Sequence, residues 1–419
     1  MTRFLLLVGL GAATGAGQPA WAQRGCTDPQ ATNFNAGAIV NDGSCQYAPT
    51  MVALTTKATL PNEVAETSGL QVTPQGLWTM NDSGNPPVLY RLDPATGMVS
   101  QRVRIRNFGN VDWEDLTADA RYLYVADFGN NNGDRHDLRV LRVRQSDLGP
   151  AAETVDAEAI SFTYPDQTSF AVNYNHHNFD CEALFYANDS LHLFTKHWAD
   201  LQTSYYTIPA APGTYVAHLK GRFNVNGLIT AASLNATGTE ACLLGYNSST
   251  GATFLWLFYD FPNNQFLRGN KRRLELPNAL QIGQAEGVSF FNRYQIYLSN
   301  ERIANIITVP PRLYEFNISP WVVNALSLAA SAGQVSKGLQ VFPNPAPVGQ
   351  TLTVRQPGGL PTKLLISLQD LLGRTVFSAV YAIAGGTSEQ NINLAAPAGV
   401  YVLKITSSAG NSFRKLVIQ

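Results

Sequence analysis

Acidic side chains recur at matching places along the middle of the chain. Five short apolar segments each carry a residue two positions before a Leu or Val, and a further residue two positions before that one. Asp or Glu occupies six of these ten positions, whereas 30 acidic residues among 419 would supply fewer than one. The acidic members are Glu66, Asp112, Glu114, Asp180, Glu182 and Glu286, and the others are Ser68, Thr230, Ala232 and Gln284.

This spacing predicts that the ten side chains share one face, because residues two apart point the same way along a β-strand. Converging carboxylates repel one another unless a cation, or Arg and Lys side chains, neutralise them. Ca²⁺ suits such a site because it is a hard ion that accepts six to eight oxygen ligands in irregular geometry. The six carboxylates are therefore predicted to form a Ca²⁺ ring. The alternative is that each satisfies backbone N–H groups at a turn or pairs with a neighbouring segment.

A second group of polar residues follows or ends the next strand of several units. Because these positions would open on the same side as the acidic ring, we predict that they line a central ligand-binding funnel. The group consists of Asp82, Asp127, Lys196, His197, Asn300 and Glu301. His176, His177 and His197, with Asp180 and Lys196, could also supply acid-base chemistry. Residues 127–137 are rich in Asp, Asn and Gly, but they lack the EF-hand order and indicate a polar turn.

Repetition explains how these residues are brought together. Residues 50–318 contain five units of roughly 50 residues, and most units hold four short strands separated by turn residues. Such units are typical of a β-propeller, in which each blade packs against its neighbours. The fifth unit lacks its own outer strand, and residues 53–58 are predicted to supply it and close the ring. The fold class is therefore all-β, a five-bladed propeller; a sixth blade could lie between Glu114 and Glu182.

Several segments of this region resemble the SdiA-regulated family of propellers and, more distantly, NHL-repeat and phytase-like propellers. The resemblance rests on residues 66–70, 81–84, 89–93, 112–116, 285–288 and 296–301. It implies five blades and a Ca²⁺ site, and that family has no assigned reaction. The middle units match less well, because Thr230 and Ala232 interrupt the acidic positions.

The N-terminal part of the chain indicates export. Residues 1–22 combine Arg3, an apolar run and an Ala-Trp-Ala cleavage pattern, which are the features of a secretory signal peptide. In residues 23–49, Cys26 and Cys45 are 19 positions apart, and an oxidising compartment favours a disulfide between them. The segment resembles short Cys modules of secreted Bacteroidetes proteins. It could be a stapled spacer or could itself hold Ca²⁺.

Residues 319–337 are predicted to form a linker. The C-terminal part of the chain, residues 338–419, is predicted to form a small β-sandwich of short strands with alternating apolar residues. Its markers resemble those of the type A C-terminal sorting domain of the type IX secretion system. They are Pro343, Asn344, Pro345, Gly399, Tyr401, Lys415, Leu416 and Val417. The resemblance implies passage across the outer membrane by that machinery, usually followed by removal of the domain and surface attachment or release.

Composition excludes several classes of function. Lys and Arg number 29 against 30 Asp and Glu, so no positive surplus exists for nucleic acid or an anionic membrane. No mature apolar run reaches the roughly 20 residues of a membrane-spanning helix. Motifs of serine hydrolases, zinc proteases and phosphate-binding loops are absent. Three hypotheses follow: a secreted or surface propeller that binds a ligand, glycan or protein, a Ca²⁺-dependent hydrolase of a phosphoester, ester or lactone, and a structural surface component.

Overall fold

A computed structural model describes residues 23–38, 40–304, 308–322, 340–355, 363–369, 375–382, 389–394, 396–407 and 410–419. Almost every regular element in these residues is a β-strand. The predicted signal peptide and most of the predicted linker lie outside the described residues.

Five antiparallel sheets of four strands form the central region. Sheet 1 contains Thr67–Thr73, Gly76–Asn81, Val88–Leu92 and Val99–Ile105. Sheet 2 contains Trp113–Ala118, Tyr122–Asp127, Arg139–Arg144 and Glu158–Thr163. Sheet 3 contains Asp180–Ala187, Ser190–Lys196, Thr203–Pro209 and His218–Phe223. Sheet 4 contains Leu228–Leu234, Glu240–Tyr246, Thr253–Tyr259 and Asn270–Glu275. Sheet 5 contains Gln284–Phe290, Gln295–Glu301, Arg312–Asn317 and Thr55–Thr59.

Short strands extend three of these sheets at the outer edge, each in parallel pairing. They are Thr154–Val155 on sheet 1, Gly213–Val216 on sheet 2 and Thr50–Met51 on sheet 4. A separate two-residue pair joins Ile303–Ala304 to Thr308–Val309. The remaining elements of this region are the helices Ala279–Ile282 and Ser319–Val322 and the 3₁₀ turns Asn62–Val64, Gln145–Leu148, Pro262–Asn264 and Phe266–Arg268. Both α-helices have four residues, too few to span a bilayer.

The first strands of the five sheets contact one another in cyclic order, from sheet 1 through sheet 5 and back to sheet 1. Small residues permit the close approach: a Cβ on Gly69 would lie 2.4 Å from the backbone nitrogen of Leu116, and one on Gly287 would lie 2.6 Å from the carbonyl oxygen of Ser68. A separate apolar cluster fills each space between successive sheets. First strands are accordingly buried along most of their length, whereas His218–Phe223 at an outer edge is largely exposed. No sheet within the described residues closes on itself.

The strand that precedes sheet 1 lies where the sequence predicted it. Thr55–Thr59 pairs antiparallel with Arg312–Asn317 and provides the outer strand of sheet 5. The stretch from Glu114 to Glu182, which is described in full, contains sheet 2, Thr154–Val155 and one 3₁₀ turn. It therefore holds no additional four-stranded unit.

One predicted outer strand was wrong. The alternating residues 215–219 predict a single outer strand for the third unit, but Gly213–Val216 pairs with sheet 2 and His218–Phe223 pairs within sheet 3. The chain changes sheets at Ala217, which is buried and donates its backbone N–H to the carbonyl of Thr163 at 2.8 Å. A single alternating run in the sequence thus serves two sheets.

The N-terminal module packs against sheet 4. Arg24–Gly25 pairs in parallel with Val40–Asn41, and the predicted disulfide joins Cys26 to Cys45. Buried Asp28 accepts hydrogen bonds from the hydroxyls of Tyr47 at 2.8 Å and Tyr259 at 2.7 Å. The module is consequently anchored to the central region by buried polar contacts and is not an independent spacer.

The C-terminal region contains two antiparallel sheets. One comprises Gln340–Phe342, Thr351–Arg355 and Glu389–Asn393. The other comprises Lys363–Gln369, Thr375–Ala382, Gly399–Ser407 and Gly410–Ile418. Both sheets contribute to one apolar core that includes Val354, Ile366 and Leu416, as expected for a small sandwich.

The linker prediction needs a correction at its start. Residues 319–322 form a helix whose Val322 is buried in the core beside sheets 4 and 5. Packed structure therefore continues to residue 322.

Candidate functional site

Two residues of the predicted acidic ring and one of the predicted funnel meet at one end of sheets 1 and 2. Asp82, Asp112 and Glu114 each place a carboxylate oxygen within 4.8 Å of the other two, and we call this group the acidic centre. Asp82 follows strand Gly76–Asn81, and Glu114 belongs to strand Trp113–Ala118. Three carboxylate oxygens at these mutual distances could hold a metal ion, and hard cations prefer such oxygen ligands.

Asn110 ties the two loops of the acidic centre together. Its side-chain amide donates to the carbonyl of Asp82 at 2.8 Å, and its side-chain oxygen accepts the backbone N–H of Trp113 at 3.1 Å. The backbone N–H of Asp82 in turn donates to the carbonyl of Glu66 at 3.0 Å. These bonds hold the carboxylates of Asp82 and Asp112 near each other despite their mutual repulsion.

Gly129 provides the space that the acidic centre needs. A Cβ at this position would lie 2.0 Å from Oε1 of Glu114 and 2.5 Å from Oδ2 of Asp112, which no side chain could tolerate without movement of the carboxylates. The backbone N–H of Gly129 also donates to the carbonyl of Asp112 at 3.2 Å. The backbone itself therefore forms one wall of the site.

Burial raises the pKa of all three carboxyl groups of the acidic centre. For Asp112, burial and the negative charges of Asp82 and Asp180 raise the pKa to about 7. The pKa of Glu114 is raised well above its usual value by burial and then by the charges of Glu182 and Asp82. A cation bound here would relieve this repulsion, because it favours the ionised form of each group.

The other predicted members of the ring have different partners. Asp180 is buried and accepts the backbone N–H of Asn130 at 2.6 Å and the indole N–H of Trp198 at 2.8 Å. Glu182 forms a buried ion pair of 3.1 Å with Lys196. Glu66 accepts a hydrogen bond from Asn85. Of the predicted ring of six, Asp112 and Glu114 thus belong to the acidic centre. Glu66, Asp180 and Glu182 instead have hydrogen-bond or ion-pair partners within the protein.

Glu286 is the exception among these residues. Gln284 donates to its Oε1, but its buried Oε2 has no hydrogen-bond partner among the residues that the structure describes. Burial raises its pKa to about 7, against the opposing effect of the Lys196 ammonium, while the charge of Asp82 raises it further. Glu301 behaves similarly: burial and the charge of Glu286 raise its pKa well above the usual value. An unpartnered oxygen in an acidic environment is a position where a cation or a bound water would be stabilised.

Two predicted funnel residues have structural roles instead. Asp127 is fully buried, accepts the backbone N–H of Asp112 at 3.1 Å, and forms ion pairs with Arg135 at 3.3 Å and Arg139 at 2.7 Å. Asn300 is also fully buried, and its amide bonds the carbonyls of Glu301 and Pro310. Their positions at strand ends predicted that both side chains would face a ligand. Neighbouring segments of the same chain bury them instead.

A β-bulge in every first strand explains where the acidic side chains sit. The pairing between first and second strands is interrupted at Glu114, Glu182 and Glu286 in sheets 2, 3 and 5, and at Thr230 in sheet 4. Thr230 therefore corresponds to these glutamates, and the alignment that placed Ala232 there was wrong by two residues. A bulge changes the direction in which a side chain points, and the residue types at the bulge do not reveal it.

Asp115 is a central residue that sequence reasoning did not single out. Its buried carboxylate accepts the backbone N–H groups of Leu116 at 2.8 Å, Leu184 at 3.0 Å and Ala232 at 3.1 Å. It thereby links the first strands of sheets 2, 3 and 4. Burial raises its pKa well above the usual value, and the three backbone bonds oppose that shift. The positions after the bulge in the other first strands are the small residues Gly69, Ala183, Ala231 and Gly287, and a Cβ on Gly69 would lie 2.6 Å from the backbone carbonyl carbon of Asp115.

Cys181 and Cys242, which could have been a disulfide or two thiols, are both free and buried. Burial raises the pKa of each thiol well above its usual value. They consequently act as small apolar core residues.

The sorting markers contact one another in the C-terminal region. The amide of Asn344 donates to the carbonyl of Lys415 at 2.7 Å and accepts the backbone N–H of Val417 at 3.0 Å. The hydroxyl of Tyr401 donates to the carbonyl of Pro397 at 2.8 Å. The Pro-Asn-Pro motif thus binds the terminal strand, which explains why the two markers occur together.

A family comparison identifies this region. Residues 340–419 match the secretion system C-terminal sorting domain family, which supports a type IX secretion sorting domain. The protein is therefore secreted or attached at the cell surface, and its sorting domain interacts with the type IX secretion machinery. No curated protein matches the chain.

Solved structures show only weak similarity. Hydrazine synthase from Kuenenia stuttgartiensis is 11% identical with a TM-score of 0.28, covering 90% of this chain and 70% of that one. A mitotic checkpoint complex chain is 11% identical with a TM-score of 0.28, covering 59% and 63%. The U3-55K structure is 8% identical with a TM-score of 0.31, covering 60% and 67%. This chain thus spans slightly less than two thirds of the checkpoint chain.

Proposed function

We propose that residues 50–318 form a five-bladed β-propeller and that sheets 1–5 are its blades. Two observations support the proposal: the first strands of the sheets contact one another in cyclic order, and Thr55–Thr59 completes the last sheet from the opposite end of the region. Each blade then buries its faces against two neighbours, which is the packing principle of propellers. The resemblance to SdiA-regulated propellers agrees with this arrangement.

The acidic centre of this propeller binds Ca²⁺. The observation that carries the proposal is the convergence of Asp82, Asp112 and Glu114, with carboxylate oxygens within 4.8 Å of one another. Their donor set consists of hard oxygens, and like-charge repulsion favours a bound cation. When bound, the ion would neutralise charge and leave coordination positions open for oxygen atoms of a ligand.

The protein acts as an exported binding protein, and it engages a ligand, glycan or protein partner on the face that carries the acidic centre. Trp198 and Tyr246 lie near the buried Glu182–Lys196 ion pair, because the Lys196 ammonium is 5.0 Å from the ring centre of Trp198 and 5.6 Å from that of Tyr246. Two partly exposed aromatic rings and a bound metal ion would together provide contacts that polar ligands use.

Calorimetric titration of the mature chain with Ca²⁺ tests the proposal. Wild type should bind one ion at the acidic centre, and Glu114→Gln should weaken binding by at least tenfold because it removes one charged ligand. Glu158→Gln is the matched control, since Glu158 lies on an outer strand of the same sheet and pairs with Arg142. Absence of binding by wild type, or equal binding by both variants, would overturn the assignment.

A further inference from the structure

A cavity lies beside sheet 3, outside the acidic centre. Its volume is about 340 Å³, and its lining includes His176, His177, His197, Asp200, Ser204 and Arg222. The cavity is large enough for a small organic group, because a water molecule occupies only about 30 Å³. Three of its lining residues form a connected chain of side-chain hydrogen bonds.

The chain runs through His197. Its Nδ1 lies 2.8 Å from Oδ1 of Asp200, and its Nε2 lies 3.0 Å from Oγ of Ser204. The imidazole and the hydroxyl are buried, whereas the side chain of Asp200 is 40% exposed. A carboxylate, an imidazole and a hydroxyl in this order are the parts of a nucleophilic triad.

The direction of each hydrogen bond follows from the donors available. An ionised Asp200 can only accept, so Nδ1 of His197 carries the proton. Burial lowers the pKa of His197, against the raising effect of Asp200, which keeps the ring neutral at pH 7. Nε2 then has a lone pair and accepts the proton of the Ser204 hydroxyl. This tautomer is the one in which histidine can act as a general base toward serine.

Arg222 completes the surroundings of the hydroxyl. Its Nε donates to Oγ of Ser204 at 3.3 Å, and its Nη2 pairs with Asp166 at 3.1 Å. The Ser204 oxygen therefore receives one hydrogen bond from a cation while it donates another to His197. A guanidinium in this position favours negative charge at the serine oxygen and beside it.

The backbone holds the chain of residues in place. Ser204 lies in strand Thr203–Pro209, where its backbone N–H donates to Oγ1 of Thr195 at 3.0 Å. His197 and Asp200 belong to the connection that precedes this strand, in which the N–H of Leu201 donates to the carbonyl of His197 at 3.1 Å. Stabilisation of that connection explains the contact between His197 and Asp200, but it does not require a serine hydroxyl on the other ring nitrogen.

We propose that Ser204, His197 and Asp200 form a nucleophilic triad that hydrolyses a small carboxylic ester. Oγ of Ser204 attacks the ester carbonyl carbon while His197 accepts the hydroxyl proton. The bond between that carbon and the alcohol oxygen breaks, and His197 returns the proton to the departing alcohol. Water then attacks the acyl-serine, His197 takes its proton and passes it to Ser204, and the acid is released. Arg222, whose Nε lies 3.3 Å from Oγ of Ser204, places positive charge beside the reacting oxygen, and these steps need no metal ion.

Reaction of the mature chain with a fluorophosphonate in excess chelator tests the proposal, because that reagent labels activated serines. Mass spectrometry should locate the adduct on Ser204, and hydrolysis of p-nitrophenyl acetate should fall at least 100-fold in Ser204→Ala. Ser190→Ala is the matched control, since Ser190 lies at the far end of a neighbouring strand of sheet 3. It should keep both reactions.

Asp200→Asn gives a second readout that does not depend on the buried serine, because its side chain is partly exposed. Labelling of Ser204 should slow at least tenfold in this variant at a temperature where thermal denaturation shows it to be fully folded. Absence of an adduct on Ser204 in folded wild type, wild-type hydrolysis by Ser204→Ala, or an unchanged labelling rate in Asp200→Asn would each overturn the proposal. Because every reaction is run in chelator, these outcomes are independent of Ca²⁺ binding.

Discussion

Replacement of Asp112 by Asn should stabilise the metal-free protein at pH 8, although it removes a proposed Ca²⁺ ligand. The pKa of Asp112 is raised from 3.8 to about 7 by burial and by the charges of Asp82 and Asp180. A raised folded-state pKa means that the stability contribution is fully present below pH 4 and is lost as the pH rises to about 7. Asn carries no charge, so this loss should disappear.

The magnitude follows from the shift. About three pKa units correspond to at most roughly 4 kcal/mol, and partial exposure of the side chain reduces the expected gain to about 1–3 kcal/mol. Urea denaturation in chelator at pH 5 and pH 8 measures it: the free energy of unfolding of wild type should fall between these pH values more than that of Asp112→Asn. Asp156→Asn is the control, because Asp156 is an exposed partner of Arg106.

Ca²⁺ should reverse the order of stability. At a concentration 100 times its dissociation constant, a bound ion stabilises the folded protein by about 2.7 kcal/mol. Wild type should gain this stability, and Asp112→Asn should gain much less. Lower stability of Asp112→Asn than of wild type in chelator at pH 8, or equal stabilisation of both by Ca²⁺, would refute the reasoning that repulsion within the acidic centre drives cation binding.

Three further changes test other parts of the structure. Asp115→Ala leaves three buried N–H groups without acceptors and should cost about 3–5 kcal/mol in urea denaturation; a loss below about 1 kcal/mol would contradict its linking role. Burial lowers the pKa of His192 to about 4, so its contribution is present above pH 6.5 and lost as the pH falls to 4. His192→Asn should therefore flatten the fall in melting temperature over that range, and an unchanged slope would exclude this residue as a cause. Gly129→Ala should abolish calorimetric Ca²⁺ binding by displacing Glu114, whereas Gly109→Ala, with no atom near its Cβ position, should bind normally.

Strand periodicity predicted most of the fold, because alternating apolar residues must face a core wherever they occur. It also predicted that residues 53–58, which precede sheet 1 in the sequence, form the outer strand of sheet 5, because the fifth unit was the one that lacked such a strand. The strand change at Ala217 was missed because one continuous alternating run gives no sign of two different partners.

The site was less accessible to sequence reasoning than the fold. Glu114 and Asp115 are adjacent acids, and only the bulge between the paired positions determines that one joins the acidic centre while the other links three sheets. The fourth unit was aligned two residues too late because Ala232 occupies the position of the Leu or Val that marks the other units. Ser204 was overlooked because its relation to His197 depends on two strands folding back on each other, and serine has no distinguishing spacing. The Pro-Asn-Pro motif was easier, since it is local and specific.

The pairing of Thr55–Thr59 with Arg312–Asn317 has a consequence for the order in which the protein matures. The earliest strand of sheet 5 is synthesised long before its partner, so its unpaired edge must wait for almost the entire region to emerge. During that interval the nascent chain offers an open strand edge that other chains could join. Closure late in synthesis then acts as a check on completeness, because a chain truncated before residue 312 cannot pair this strand and would be exposed to proteases.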